Sequence, residues 1–363
     1  MANNALSGVV RTLTIIVVLV LVAATAGYFL VPPRASRSQT LTIERPAPTV
    51  LARLASTPVG TTVTEGVTIA EPATTEGDTI TAPVTFADGA TGRIVYTVTP
   101  AGEGASVQVR LEQDLGPNPL DRVQALTGGE VAPLITAAAT SLTEDLNALP
   151  SASFVGLAYE VVPIQAQPFF YVENCSASDA ESITSIIAQA VEVIPPVMRR
   201  NGLQPAGPLM AVEPRVVNGQ YCYQVGYPYR GREPRALLIG KVGQTPNGSA
   251  LRMVYTGTED AVLNDVYNRM DALLAAAHLD NPATTEDDWT TYEVYNDDAT
   301  QEGGSRNRDI YYVVQGDIAA LTRIAPPTAP AAAPAQATEA PAAATTEAAP
   351  AATTEAAPAT TTP

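Results

Sequence analysis

The residue types that most catalytic and metal sites require are scarce in this chain. The sequence contains one histidine, His278, and two cysteines, Cys175 and Cys222. A nucleophile paired with histidine would have to use His278, and neither a histidine-rich nor a four-cysteine zinc site can be assembled. His278 ends an alanine-rich segment, LLAAAHLD, where an imidazolium interacts favourably with a helix C-terminus. We therefore expect a structural role for His278, with no metal and no cofactor.

Aromatic residues concentrate in a duplicated pattern between about residues 167 and 314. Each half reads strand, helix, strand, strand. The first half contains PFFYVENC, a helical stretch at 179–200, GPLMAVE and QYCYQVGY, and the second contains SALRMVY, a helix at 259–277, TTYEVY and DIYYVV. We expect Pro195-Pro196 to interrupt the first helix and Gly202 to cap it. A duplicated unit builds a pseudo-two-fold sheet with a groove between its halves, and such grooves bind small ligands.

The cysteines and the acidic run of the duplicated region have structural explanations. Cys175 and Cys222 lie in two strands of one half. They form either a disulfide, worth about 4 kcal/mol in the chain-entropy model, or two buried thiols at non-adjacent positions. The acidic run lacks the D-x-D-x-D-G spacing of a calcium loop, and we expect it to be a solvated face. Its members are Asp287, Asp288, Asp297, Asp298 and Glu302.

Both ends of the chain differ in composition from its middle. Residues 13–31 form an uncharged apolar run of about 19 residues, which is long enough to cross a bilayer. A signal peptide cleaved after Ala24-Thr25-Ala26 is the alternative, but the apolar run continues past that point. We expect a retained single-pass transmembrane helix within 1–37, with the globular domains extracytoplasmic, in the periplasm, where a disulfide is favoured. Residues 325–363 contain Ala, Pro, Thr and Glu, and we expect a disordered tail.

The charge of the chain argues against a nucleic-acid partner. The net charge is −17 and the isoelectric point is about 4.4. Phosphates require clustered Lys and Arg, and the sequence shows no basic stripe along a predicted element. We therefore expect the acidity to support solubility.

The first globular region, 38–150, contains a strand, a short helix, several strands and a long helix. The segments are QTLTIER, PTVLARLA, GTTVTEGVTI, TITAPVTF, GRIVYTVTP, SVQVRLEQ and a helical pattern at 119–149. Through LTIERPAPTVLARL and LEQDLGPNPLDRV the region resembles the START-like (SRPBCC) superfamily that includes polyketide cyclases. The resemblance implies a helix-grip fold, with a long helix over a curved sheet that sometimes encloses an apolar cavity. The aromatic-rich segment expected after the first helix is missing, so both a structural and a binding module remain open.

The second globular region, 154–316, resembles the GyrI-like effector-binding domain of AraC-type and multidrug-sensing regulators. The matching segments are MRRNGLQPAGPLMAV, YTGTEDAVLNDVYNRM, TTYEVYNDD and RDIYYVV. The resemblance implies a duplicated β-α-β-β fold, so the whole chain is expected to be α+β. It also implies a groove in which a glutamate and aromatic rings receive aromatic or cationic molecules. By its position in the YExY pattern, that glutamate is Glu293, with Tyr292 and Tyr295 beside it.

A carboxylate in an aromatic groove attracts a cation, while the rings add cation–π contacts and apolar area. Strand alternation puts Glu293 on one face with Thr291 and Tyr295, and Tyr292 and Val294 on the other. Further candidate ligand-binding residues are Tyr171, Tyr223, Tyr227, Met253, Trp289 and Tyr312. We expect a membrane-anchored small-molecule binding protein rather than an enzyme. The alternatives are a hydrolase of a reactive small molecule that uses Glu293, and a structural envelope module without a ligand.

Overall fold

The computed structural model describes residues 17–18, 33–116, 131–176, 180–217, 220–257, 259–279, 291–301, 305–316 and 318–328. Residues 1–330 form one compact unit, and the second unit, Ala331–Pro363, lies outside the described residues. So does the apolar segment 13–31, apart from Val17 and Val18, which are helical. Within the described ranges, no helix has both the length and the apolarity needed to cross a membrane.

The first part of the chain forms an antiparallel sheet of seven strands with two helices. Its elements are β1 (Arg34–Ile43), α1 (Ala47–Ala55), β2 (Thr62–Thr64), β3 (Val67–Ile69), β4 (Thr74–Glu76), β5 (Thr79–Phe86), β6 (Thr91–Ala101), β7 (Gly104–Asp114) and α2 (Val131–Ala148). The strand order is β1-β7-β6-β5-β3-β2, and β4 pairs with β5. The succession of a strand, a short helix, several strands and a long helix is the one that the sequence predicts, although the part of the helical pattern before residue 131 lies outside the described residues. Membership of the START-like superfamily stays a prediction.

Alternating valine, isoleucine and threonine residues build this first core. On β5, Ile80, Ala82 and Val84 are buried, and each intervening residue is more exposed. The helix α2 packs on β1, β2 and β7 and closes the core. The segment GTTVTEGVTI forms the hairpin β2–β3, so the prediction of a single strand was wrong. Gly66, with φ of 81°, supplies the left-handed turn that reverses the chain there.

The second part of the chain forms an antiparallel sheet of nine strands. Its elements are β8 (Glu160–Ile164), β9 (Pro168–Ser176), α3 (Ala180–Arg200), β10 (Gln204–Pro205), β11 (Leu209–Val217), β12 (Gln220–Arg230), β13 (Lys241–Gln244), β14 (Gly248–Thr256), α4 (Asp260–Ala276), β15 (Thr291–Tyr295), β16 (Asn307–Val314) and α5 (Ile318–Ile324). The order is β13-β9-β12-β11-β15-β16-β14-β8, with β10 on β12. The two predicted β-α-β-β halves therefore meet at the central pair β11–β15.

The helices α3 and α4 pack on the same face of this sheet. Under α3 lie residues of β9 and β12, such as Phe170 and Val225, and under α4 lie residues of β14 and β16, such as Met253 and Ile310. Because side chains alternate along a strand, the residues between these positions point to the opposite face. The central strands β11 and β15 thus lie between the parts of the sheet that the two helices cover.

The prediction that Pro195-Pro196 interrupts the first helix was wrong, because α3 runs through both prolines. Ile194 and Met198, on either side of them, are fully buried in the core beneath α3. We infer that this packing outweighs the two backbone hydrogen bonds that proline cannot donate. The predicted cap is confirmed: Gly202 has φ of 71°, and the Leu203 amide donates to the Met198 carbonyl at 2.9 Å.

A helix pair joins the two sheets. The guanidinium of Arg53, on α1, donates to the carbonyl of Ala275, on α4, at 2.7 Å. His278 follows the C-cap of α4 with φ of 55°, and its Nε2 lies 3.1 Å from the Arg53 carbonyl oxygen. The single histidine therefore ends α4 and links it to α1, which is a structural role.

Candidate functional site

Glu293 lies on the central strand β15, between β11 and β16. Its side chain is 13% exposed and shares the helix-covered face with Tyr295, whereas Tyr292 and Val294 pack on the opposite face. This distribution is the one that strand alternation predicts. The residue opposite Glu293 on β11 is Ala211, whose small side chain adds little bulk beside the carboxylate.

Two residues from different elements hold the Glu293 carboxylate. The hydroxyl of Tyr267, on α4, donates to Oε1. The guanidinium of Arg308, on β16, donates from Nη1 to Oε2 at 3.0 Å. The Arg308 side chain is 14% exposed, so this ion pair is almost fully shielded from water. Arg308 therefore already neutralises the Glu293 carboxylate within the chain.

Aromatic rings and one carbonyl surround the guanidinium of Arg308. Its central carbon lies 5.6 Å from the ring centre of Tyr255 and 5.5 Å from that of Tyr295. Both distances are within the range of cation–π attraction. Nη2 donates to the Ser305 carbonyl at 2.9 Å, whereas the buried Nε has no acceptor among the described residues. A carboxylate and two tyrosine rings thus hold a cation, and one of its donors is unsatisfied.

The tyrosine hydroxyls around Glu293 have raised pKa values. Burial, followed by the negative charge of Glu293, raises the pKa of Tyr267 well above its usual range. The same two causes, in the same order, raise the pKa of Tyr295. Both hydroxyls are therefore neutral donors around one carboxylate at ordinary pH.

Several of the predicted site residues lie on the same face as Glu293. Tyr223, on β12, is buried and close enough to raise the pKa of Tyr295 further. The ring centre of Tyr312, on β16, lies 6.2 Å from that of Tyr267, and its hydroxyl donates to Asp271 at 3.0 Å. Met253 is buried in the core under α4, and Tyr227 packs at the edge of the core under α3.

Two predicted site residues lie on the opposite face of the sheet. Tyr292 stacks on Tyr311, with ring centres 4.8 Å apart, and Tyr171 stacks on Phe169 at 5.6 Å. Both pairs border a separate cluster on that face. The prediction that Tyr171 and Tyr292 lie beside the Glu293 carboxylate was therefore wrong, because the sheet separates them from it. Trp289 lies outside the described residues.

A concave region lies at the sheet edge, away from Glu293. It is a cleft of about 420 Å³ between α3 and the chain that enters β13. Glu173 and Lys241 line it and form an ion pair of 3.2 Å. Glu173 also lies beside Cys175 and Cys222, the group among the described residues whose atoms are spaced to hold a metal. The two sulfurs form a disulfide, so they are not available as thiolate ligands.

Sequence reasoning missed two residues of the Glu293 site. Tyr267 follows Leu263 by four residues and precedes Met270 by three, a spacing that places it on the apolar stripe of α4. Arg308 begins the predicted closing strand RDIYYVV, and alternation along β16 places it on one face with Ile310 and Tyr312. That alternation was not applied to Arg308, although it places the guanidinium on the same face as Glu293.

Comparison with known proteins finds similarity only among solved structures. No protein-family model and no curated protein matches the chain. An uncharacterized conserved protein from Listeria innocua is 9% identical, covering 44% of this chain and 93% of that one, with a TM-score of 0.33. The structure of SAV2435 bound to tetraphenylphosphonium is 15% identical and covers 44% of this chain and 94% of that one, with a TM-score of 0.30. The C-terminal domain of EcmrR is 13% identical and covers 44% of this chain and 98% of that one, with a TM-score of 0.34.

All three similarities have TM-scores below 0.5 and therefore carry no argument about this chain.

Proposed function

We propose that this protein binds a small aromatic cation on the sheet face between α3 and α4, with Glu293 as its counter-charge. The observation that carries the proposal is the environment of the Arg308 guanidinium. A buried carboxylate and the rings of Tyr255 and Tyr295 surround that group. Together these groups supply the chemistry that recognises an organic cation.

In the proposed mechanism the ligand competes with Arg308 for Glu293. The guanidinium occupies the position of a bound cation, as an internal substitute for the ligand. Its Nε is buried without an acceptor, which is a cost that Arg308 escapes when it moves into water. An incoming aromatic cation would therefore exchange one ion pair for another and bury additional apolar area.

A thermal-shift experiment tests this proposal. The full chain would be titrated with tetraphenylphosphonium, the cation present in the SAV2435 complex, and with a neutral aromatic compound of similar size. Binding to the native state raises the melting temperature by mass action. We expect stabilisation by the cation in the wild type and its loss in Glu293→Gln.

Glu173→Gln is the matched control for this experiment. Glu173 is also a strand carboxylate paired with a cation, but it lines the cleft at the sheet edge. Retained stabilisation in Glu173→Gln would place the ligand at Glu293. Loss in Glu173→Gln alone would move the site to the cleft. The absence of stabilisation by any compound would favour the structural alternative.

A hydrolase is the second candidate function, and the contact between Tyr267 and Glu293 favours it. A carboxylate and a hydroxyl in hydrogen-bond contact can serve as general base and general acid. Both oxygens of Glu293 are engaged, so a reactive substrate would also have to displace Arg308. Turnover of a bound electrophile that stops in Tyr267→Phe, while binding persists, would establish this function.

We also propose that the protein is anchored by residues 13–31, with its globular part outside the cytoplasm. The disulfide between Cys175 and Cys222 supports this placement, because structural disulfides persist in oxidising compartments. Labelling of free thiols in intact cells and after reduction tests it. Cysteines that react with the label before reduction would contradict the placement.

A further inference from the structure

Basic side chains gather at one edge of the nine-stranded sheet, although the chain as a whole is acidic. The loop 231–240, here called the basic loop, connects β12 to β13. Arg232 and Arg235 lie within it, Arg230 and Lys241 flank it, and all four side chains are exposed. Among the described residues, none of the three arginines forms an ion pair. These four residues fall in one segment, RGREPRALLIGK at 230–241, which runs from the end of β12 through the loop to the start of β13 and so forms no stripe along a single element.

The C-terminal end of α3 adds to the same surface. Gly231 lies against the Gly202 carbonyl just beyond α3, and Gln204 pairs with Arg230. Arg199 and Arg200, in the last turn of α3, are exposed beside this junction. The segments 199–204 and 230–241 together contain six basic residues and one acidic residue, Glu233, in a chain of net charge −17. Of the six, Lys241 pairs with Glu173.

Apolar side chains project from the centre of this basic surface. Leu238 is fully exposed, at 105%, and Ile239 is 50% exposed. The loop is anchored on both sides of them, because Leu237 packs on the core under α3 and Gly240 lies against Phe170. Leu238 and Ile239 are thus held outward by fixed neighbours. Val193 of α3, 37% exposed, lines the cleft beside Ile239 and extends the apolar area.

We propose that the basic loop docks on an anionic membrane surface, with Leu238 and Ile239 inserted between the lipids. Clustered Lys and Arg around exposed Leu and Ile is the composition that binds the interface of an acidic bilayer. A nucleic acid or an acidic protein would be attracted by the same charge. A nucleic acid offers the exposed Leu238 and Ile239 no acyl region to enter, and binding to an acidic protein is one outcome of the test below. This docking is independent of the small-molecule site at Glu293.

An environment-sensitive fluorophore at position 238 tests the proposal. Both native cysteines are in the disulfide, so Leu238→Cys in the full chain can be labelled selectively. The probes are vesicles of phosphatidylcholine alone and of phosphatidylcholine with about 30% phosphatidylglycerol. We expect a blue shift with the anionic vesicles only. Insertion through residues 13–31 would occur with both compositions, so the neutral vesicles provide the reference.

Two controls make the experiment decisive. A label at Val59→Cys, which is 54% exposed near the seven-stranded sheet, should show no shift with either vesicle. Arg232→Gln with Arg235→Gln should raise the lipid concentration at half-maximal shift by about thirty-fold. Arg110→Gln with Arg323→Gln removes the same charge elsewhere and should leave it unchanged. No shift, an equal shift with neutral vesicles, or a shift that only duplex DNA or polyglutamate produces would overturn the proposal.

Discussion

The two sheets of this protein bury different kinds of side chain. The seven-stranded sheet encloses mainly aliphatic residues, and Tyr96 and Phe86 are its buried aromatics. The nine-stranded sheet buries many tyrosines and, at its centre, the ion pair of Glu293 and Arg308. The same antiparallel architecture thus supports an apolar core in one region and a charged one in the other.

The two kinds of buried side chain contribute differently to the stability of the fold. Aliphatic burial stabilises a fold by about 25 cal/mol per Å² and requires no exact partner. A buried ion pair loses hydration that its own attraction only partly offsets, so it is weak evidence for stability. In the proposed function, the pair of Glu293 and Arg308 is the place where the ligand exchanges with the guanidinium.

Reduction of the disulfide has the largest expected effect and separates the two sheets. The bond joins directly paired residues of β9 and β12, and the seven-stranded sheet contains no cysteine. In the chain-entropy model its loss lowers the free energy of unfolding by about 4 kcal/mol. Amide hydrogen exchange with and without reductant should show loss of protection centred on β9 and β12. Equal loss across both sheets would show that the two regions unfold as one unit.

Breaking the buried ion pair has the next largest expected effect on the free energy of unfolding. Arg308→Met leaves the Glu293 charge without its cation and should lower the free energy of unfolding by about 3 kcal/mol. The double variant Glu293→Gln with Arg308→Met should recover most of that loss, which chemical denaturation can measure.

Ile94→Ala serves as the comparison in the seven-stranded sheet. Ile94 is fully buried among aliphatic residues, so its truncation should also cost about 3 kcal/mol. Adding Glu293→Gln to Ile94→Ala should recover nothing. If the losses in stability of Glu293→Gln and Arg308→Met also added up in their double variant, that result would contradict the coupling between the two residues that the ion pair implies.

Alkaline pH should lower the free energy of unfolding, by less than the substitutions above. Folding raises the pKa of Tyr267 and Tyr295, through burial and then through the charge of Glu293. The folded state therefore keeps protons that the unfolded state loses above about pH 10, and stability falls as pH rises past that value. Each protected tyrosine should account for about 0.8 kcal/mol of the loss by pH 10.5.

Chemical denaturation at several pH values gives the slope with which the free energy of unfolding falls above about pH 10. Tyr267→Phe should reduce that slope. Tyr96→Phe should reduce it similarly, because Tyr96 in the seven-stranded sheet has a pKa that burial alone raises. An unchanged slope in Tyr267→Phe would mean that Tyr267 ionises in the folded state as it does in water.

Local sequence patterns predicted most of the fold. Alternation in TITAPVTF and GRIVYTVTP located β5 and β6, and the duplicated strand–helix pattern located the pair of helices on the nine-stranded sheet. The errors arose where tertiary packing decides, as at Pro195-Pro196. The short strands β4, β10 and β13 were missed because two to four residues carry no readable periodicity.

The candidate site was predicted only in part, for a related reason. Alternation placed Glu293 and Tyr295 together. Tyr292 was grouped with them through the YExY pattern and Tyr171 by residue type, although the strand positions of both face the other way. Tyr267 and Arg308 come from elements 26 and 15 residues distant in sequence, and no local pattern links them to Glu293.

The most direct test of the account is the affinity of tetraphenylphosphonium, measured by isothermal titration calorimetry for the wild type and two variants. Glu293→Gln removes the counter-charge and should weaken binding by at least about ten-fold. Arg308→Met removes the internal competitor and should strengthen binding by about ten-fold, since Glu293 no longer has to be vacated. Opposite changes in the two variants would support displacement of Arg308 by the ligand. Unchanged affinity in both, or weaker binding in Arg308→Met, would contradict it.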